Sequence, residues 1–389
     1  MARKKVSLII FLMIFTGSIS AQKIPVHSIN WKLATQLPAS NGQLKSLGFA
    51  GAINGVSNNV LIVAGGANFP DGLPWDGGKK YYSDEIFVLQ KKGENFVWNK
   101  TENATLPEPI AYCGVTSTDA GIVYAGGENE NGISNKVFIV TWNSEKNEID
   151  IKPLPRLPVA LTNLALTHIG TIVYAAGGDE EKRSSKSFFS LDLTNGNSQW
   201  KALPDLPIAL ANATLVAQKK GVEENVYLIG GRTKTASGIS DLHHTTFVFD
   251  VKKNEWKECA DISDGKNISN LSAAAGIAIG NNHILMIGGD NGKTFHKIET
   301  YISKITKSDS SEEKEKLIKA KNNLSIHHKG FDRSLLLYDT NSDTWTKIGE
   351  YPFRAQVTTT AVKWGNDIVI SNGEIKPGIR TPDIIFGSR

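Results

Sequence analysis

Near the C-terminus the segment Ser371-Asn372-Gly373-Glu374-Ile375-Lys376-Pro377-Gly378-Ile379-Arg380-Thr381 carries a carboxylate and a guanidinium on either side of a Pro-Gly pair. Pro-Gly is a tight-turn signal, so the chain folds back there and Glu374 and Arg380 can face one volume. A carboxylate so placed can transfer protons. An arginine beside it can hold a substrate's carboxylate by a forked hydrogen bond, or stabilise charge as it develops. Glu374 and Arg380 are therefore the candidate catalytic residues. A salt bridge that only stiffens the loop satisfies the same spacing.

Other polar residues recur at matched positions. Ala67, Glu128, Asp179, Arg232, Asp290 and Glu374 each stand directly after a small-residue doublet. In a ring of repeats such positions emerge together at one mouth of a central channel, where four acids and one arginine would form a polar cup. Asn163 and Asn212 hold matching places after Ala160-Leu161-Thr162 and Ala209-Leu210-Ala211, and Arg354 begins the equivalent strand of the last repeat. Amides and guanidinium groups at such a rim suit a ligand rich in hydroxyls and carrying a carboxylate. The candidate binding residues are thus Arg232, Arg354, Asn163, Asn212 and Glu128. They could equally finish blade loops or cap strand ends.

What must position these residues is a repeat. The doublets are Gly65-Gly66, Gly126-Gly127, Gly177-Gly178, Gly230-Gly231, Gly288-Gly289 and the variant Asn372-Gly373, with steps of 51 to 61 residues between the first five. That period falls near the kelch range. An apolar run too short for a helix precedes each doublet, as in Val60-Leu61-Ile62-Val63 and Ile284-Leu285-Met286-Ile287. A further strand follows, such as Phe188 to Asp192, Thr246 to Asp250 or Leu335 to Asp339. Next comes a tryptophan, Trp200, Trp256 or Trp345, whose large apolar area suits a place between adjacent sheets. The unit is four short strands. The last repeat has only three before the chain stops, and Ile29-Asn30-Trp31-Lys32-Leu33 supplies the fourth from the other terminus. The expected fold is all-β, a six-bladed kelch-type β-propeller over residues 22–389, its ring closed by an N-terminal strand that completes the C-terminal blade.

Residues 1–21 stand apart from the repeat. Arg3-Lys4-Lys5, the apolar run Val6 to Phe15 and small residues up to Ala21 read as a secretory signal peptide, which places the mature protein in the periplasm or outside the cell. The run is too short to span a bilayer comfortably, and no cysteine near the cleavage site offers a lipid anchor. Three of the formal +4 charges lie in this segment, leaving the mature chain near +1 and without the basic excess of a nucleic-acid surface. The two cysteines, Cys113 and Cys259, fall at unmatched places in different repeats and are expected unpaired.

A stretch at about 299–331 interrupts the repeat after the fifth doublet. Its charged core, Glu312 to Asn323, is helix-prone, and a lid over the channel mouth, a homodimer contact and decoration all remain open to it. His243-His244 and His327-His328 are adjacent pairs whose side chains diverge in an extended chain, so neither chelates a metal by itself. No phosphate loop, nucleotide fingerprint or Ser-His-Asp arrangement is present. Neither metal nor cofactor is expected.

The Asn-Gly-Glu-x-Lys-Pro-Gly-x-Arg-Thr segment around Glu374 resembles the corresponding motif of the N-acetylneuraminate epimerases, or sialic acid mutarotases. Gly48-Phe49-Ala50-Gly51 with Ala64-Gly65-Gly66-Ala67-Asn68-Phe69, the Lys79 to Phe87 loop, and Ala111-Tyr112-Cys113-Gly114 with Gly126-Gly127-Glu128 agree. The insertion after Gly289 also has a counterpart there. Blade order is circularly permuted relative to the enterobacterial form and matches a permuted branch of the family; meeting termini let such a permutation preserve the ring. The resemblance implies an exported six-bladed propeller that interconverts the α and β anomers of a sugar acid, N-acetylneuraminate, without a cofactor. It implies Glu374 for proton transfer and Arg380 for the C1 carboxylate or for developing charge. Two alternatives stay open: a non-catalytic propeller that binds a glycan or a protein, and a mutarotase for another sugar.

Overall fold

The computed structural model describes residues 29–388 except 41, 94, 100–103, 195 and 197. The expected signal peptide lies outside the described residues. Six four-stranded antiparallel sheets follow one another around a ring, giving a six-bladed β-propeller. In the first blade the strands are Ile53–Ser57, Val60–Ala64, Ile86–Lys92 and Asn95–Asn99, in that order from channel to rim. Strand Val60–Ala64 is buried at every position, which is why it reads as an unbroken apolar run rather than an alternating one. The closing blade joins the termini: Asn30–Gln36 pairs antiparallel with Asp383–Ser388, from Asn30 opposite Ser388 to Gln36 opposite Asp383. That pairing covers the edge that the C-terminal blade would otherwise expose.

The core lies between blades. Each of the apolar clusters joins two neighbouring sheets: Ile53, Ile62 and Val88 of the first blade meet Val115, Ile122 and Trp142 of the second, and Leu61, Val63 and Leu89 meet Val369 and Phe386 of the last. The outer tryptophans tie blades by a polar bond as well. The indole N–H groups of Trp98, Trp200, Trp256 and Trp345 donate to the carbonyls of Gln36, Pro155, Pro204 and Ala260, each on the preceding blade, at 2.8–3.1 Å. Both cysteines are free, as expected.

At the channel the blades are joined by backbone alone. One residue per blade adopts a left-handed conformation, with φ between 52° and 64°: Gly51, Tyr112, Asn163, Asn212, Ala273 and Thr358. Their peptide groups close a circle. Tyr112 donates to Gly51, Asn163 to Tyr112, Asn212 to Asn163, Ala273 to Asn212, Thr358 to Ala273, and Gly51 back to Thr358, at 2.8–3.2 Å. The residue just before each of these bridges the residue just after a doublet, so that Ala50 pairs with Ala67, Ala111 with Glu128 and, around the ring, Val357 with Glu374. The doublets permit this crowding. A Cβ built on Gly126, whose φ is 66°, would stand 2.2 Å from the Leu161 carbonyl oxygen of the next blade.

Gly126→Ala is therefore expected to destabilise the fold by about 2 kcal/mol or more, combining left-handed strain with a backbone clash that no side-chain movement relieves. Chemical denaturation of the variant against wild type measures it. Unchanged stability would mean that the blades are not held this closely.

Candidate active site

The circle of peptides divides two spaces. Below it the channel holds a cavity of about 120 Å³ lined by residues of the circle, such as Asn163 and Asn212, and by first-strand residues such as Val115, Leu166 and Leu215. Above it, at the mouth, lies a second cavity of about 240 Å³. Asn212, Arg232, Ser272, Asp290, Thr358 and Glu374 form its floor and sides, from the fourth, fifth and sixth blades. Phe295, Ile298, Ser325, His328 and Phe331 cover it, with Leu242 and Pro377.

The cover is the helical insertion. Helices α1 (Lys293–Lys307) and α2 (Ser311–Ile326) pack against each other, with the Ser310 hydroxyl accepting the Glu313 N–H at 3.3 Å to start α2. Helix formation begins at Lys293, earlier than the expected segment near 299, and the non-helical residues His328 and Phe331 end it. The α1 helix is clipped to the fourth blade's loop: Glu299 accepts from both the N–H and the hydroxyl of Ser240, at 2.7 and 2.8 Å. Of the three roles left open by the sequence, this placement is that of a roof over the mouth.

Glu374 and Arg380 do face one another across a two-stranded ribbon, Glu374–Lys376 against Ile379–Arg380. The Glu374 Oε1 atom accepts the Gly378 N–H at 2.6 Å and lies 3.8 Å from Arg380 Nη1. No described residue bonds its Oε2 atom, and the side chain lines the mouth cavity. The pair is thus in electrostatic contact without a closed, hydrogen-bonded salt bridge. Arg380 sits deeper than a substrate-gripping arginine would. Its side chain is 5% exposed, its Nε donates to the Ala67 carbonyl at 3.3 Å, and its guanidinium lies over the Phe69 ring at 4.6 Å. It does not line the mouth cavity, and its Nη1 is buried without a hydrogen-bond partner.

The remaining sequence candidates divide. Arg232 is in the cavity wall and donates to Asp179 at 2.5 Å, while its Nε is buried and unpartnered. Asn212 lines both cavities and Asn163 the channel cavity only; both are residues of the peptide circle rather than strand caps. Glu128 belongs to the opposite side of the mouth, where it accepts from Tyr82 at 2.9 Å, Lys80 at 3.4 Å and Thr162 at 3.3 Å. Burial pushes the Tyr82 phenol up to about 12, so it remains a donor to Glu128. Burial alone would lower Lys80, but Tyr112 and Glu128 beside it raise it. Arg354 is exposed and lines neither cavity. It precedes the first strand of its blade, Ala361–Trp364, and the chain reaches the mouth at Val357 and Thr358, three and four residues on.

Two residues in the cavity carried no functional weight in the sequence. The repeat places Asp290 at the mouth without distinguishing it from its neighbours; burial holds its carboxyl above the ordinary range, opposed by a hydrogen bond from the Gly292 N–H at 2.8 Å. From the sequence, His328 is only half of an adjacent histidine pair. Its one legible signal was its place at the end of the insertion. Among the described residues no group of three or more histidine, cysteine or acidic side chains is arranged to hold a metal.

The family model described as N-acetylneuraminate epimerase matches residues 14–149 and 154–388, nearly the whole chain. The chain belongs to the N-acetylneuraminate epimerase family. Relatives named N-acetylneuraminate epimerase from Haemophilus influenzae (strain 86-028NP) and Vibrio vulnificus (strain YJ016) are 26% and 25% identical to it. Each match covers 59% of this chain, and the chain spans 57% and 58% of those relatives' lengths. A kelch domain-containing protein of Vibrio cholerae is 26% identical over 60% of this chain and 63% of its own. The solved structure titled "Structure of YjhT" superposes with a TM-score of 0.58, covering 87% of this chain and 94% of that one at 16% identity, a likeness of fold.

Asp290 has a testable pH signature. A carboxyl raised by burial favours folding while protonated, so its contribution is present below the ordinary value near 3.8 and is lost as pH rises through the folded-state value. Asp290→Asn is accordingly expected to raise the melting temperature at pH 7 and to leave it unchanged near pH 3.5. An equal gain at both pH values would mean that charge burial is not the cause.

Proposed function

We propose that the protein is an exported mutarotase that interconverts the α and β anomers of N-acetylneuraminate. The observation that carries the proposal is Glu374: one carboxylate oxygen is fixed by the Gly378 N–H, no described residue bonds the other, and the residue lines a roofed cavity that also holds an arginine. Membership of the N-acetylneuraminate epimerase family supports the same reading. The cavity is small beside the roughly 300–1,000 Å³ of pockets for drug-sized ligands, which suits a single sugar better than a chain.

The chemistry asks for proton transfer and charge stabilisation, and these residues supply both. Glu374 Oε2 takes the proton of the anomeric hydroxyl. The bond from the anomeric carbon to the ring oxygen then breaks, leaving a ketone and an alkoxide that receives the proton back from Glu374. Rotation about the adjoining carbon–carbon bond and reclosure by the reverse transfers give the other anomer. Arg232, in the cavity wall, offers its guanidinium charge to the substrate's carboxylate. Arg380 acts from behind, its buried guanidinium 3.8 Å from Glu374 supplying positive charge toward the negative charge that develops at the site. No cofactor takes part in this scheme. Export rests on the basic and apolar residues before Ala21, and a periplasmic or secreted location is part of the proposal.

Anomer exchange settles the matter directly. With α-N-acetylneuraminate released by a sialidase, proton NMR should show exchange well above the spontaneous rate, and Glu374→Gln should lower kcat by about 100-fold or more in a folded protein. Exchange at the spontaneous rate would overturn the activity. Exchange on neutral aldoses without need of a carboxylate would replace the substrate. An undiminished Glu374→Gln rate would remove only the residue assignment.

Export makes a separate prediction. The mature N-terminus should begin at Gln22 when the full chain is expressed in a secreting host, as read by mass spectrometry of the purified protein. An intact Met1 or Ala2 terminus would defeat it.

A further inference from the structure

His328 belongs to the insertion, yet its side chain lines the same mouth cavity as Glu374. Its ring is held in a defined way. The Nδ1 atom accepts the Gly330 N–H at 3.1 Å, and the ring packs on Phe331 with 5.2 Å between centroids. An Nδ1 that accepts cannot carry the proton, so the neutral ring bears its hydrogen on Nε2. The histidine thus offers a donor, fixed in tautomer by a backbone N–H and in plane by an aromatic neighbour.

Mutarotation has a use for such a donor. When the ring bond of the sugar breaks, negative charge moves from the anomeric oxygen to the departing ring oxygen. Glu374, having just taken one proton, cannot also neutralise that second oxygen at the same instant. We propose that His328 is a further catalytic residue, a neutral hydrogen-bond donor whose Nε2–H stabilises the ring oxygen as it departs. This rests on the mutarotase reading of the Glu374 site. Atoms balance without the histidine giving up its proton: Glu374 carries the proton from the anomeric hydroxyl to the ring oxygen, and His328 only shares its own.

The charges around the ring pull both ways, and burial decides for the neutral imidazole. Asp290 and Glu374 favour its protonated form, Lys376 opposes it, and Arg232 stands in the same cavity wall. Burial is the largest influence and lowers His328 below the ordinary imidazole range. Protonating Nδ1 would in addition break the bond from Gly330.

The test compares wild type with His328→Ala, His328→Gln and the control His327→Gln, following anomer exchange at several concentrations of N-acetylneuraminate between pH 5.5 and 8. His327 is exposed, with its Nδ1 against the Asn323 carbonyl, and its variant should match wild type. His328→Ala should lose about 100-fold in kcat with little change in KM, the mark of a contact made in the transition state. His328→Gln, which keeps a donor amide, should recover roughly tenfold of that loss. If wild type exchanges rapidly and His328→Ala matches it while folded, this inference fails and the Glu374 site stands. A kcat inflection in the imidazole range that disappears in His328→Gln would make His328 a proton carrier and overturn the neutral-donor role. Wild type with no exchange above the spontaneous rate would remove both.

Discussion

Six peptide hydrogen bonds, running head to tail from Gly51 through Tyr112, Asn163, Asn212, Ala273 and Thr358, close around the channel. Each requires a residue in the left-handed region, a conformation that costs most side chains about 1–2 kcal/mol. That cost is offset where it falls, because each donor and acceptor of the circle finds its partner in the neighbouring blade. Two of the six positions are asparagine and one is glycine, the types that tolerate the conformation best. The circle also sets the distance from the axis to every post-doublet residue, since each is bridged to the circle's preceding residue. The mouth is therefore organised by backbone before any side chain is considered.

On that rigid floor the side chains are unevenly engaged. Around the second and third blades the polar groups satisfy one another: Glu128 with Tyr82, Lys80 and Thr162, and Asp179 with Arg232 and Ser184. Around the fifth and sixth blades they are less satisfied. Among the described residues, one Glu374 oxygen finds no partner and Asp290 is held by a single backbone N–H. This asymmetry coincides with the roof, because α1 and α2 cover the side of the mouth where the polar groups still have capacity to bind. Covering those groups removes water that would screen them, which strengthens any charge interaction made there.

The sixth doublet is where the repeat gives way to the site. Asn372 replaces the first glycine and keeps its conformation, with φ of 58°, while Gly373 retains the inter-blade bond to the Phe49 carbonyl. The ribbon that follows turns at Pro377-Gly378 and packs on Pro74 and Trp75 of the first blade, so Glu374 is supported from both sides of the ring closure. Joining the termini in this blade thus stabilises the element that carries the carboxylate.

The periodic features were legible because each is enforced locally and repeated. Paired glycines are needed wherever a blade's inner turn meets the next carbonyl, apolar runs wherever a strand is buried on both faces, and the turn at Pro377-Gly378 wherever Glu374 and Arg380 must oppose each other. The residues alone therefore established the six-bladed ring, its closure by the N-terminal strand and the Glu374 ribbon. They could not rank the polar groups at the mouth, since equivalent repeat positions look alike whatever fills the space above them. Tertiary structure decided that Arg380 is buried behind the carboxylate while Arg232 lines the cavity, that Arg354 stays outside, and that a histidine from a non-repeating insertion comes over the site. The reason is physical: a repeat fixes distance from the axis through short-range backbone bonds, whereas which side of the mouth is roofed depends on where α1 and α2 dock, a long-range contact that no local pattern encodes.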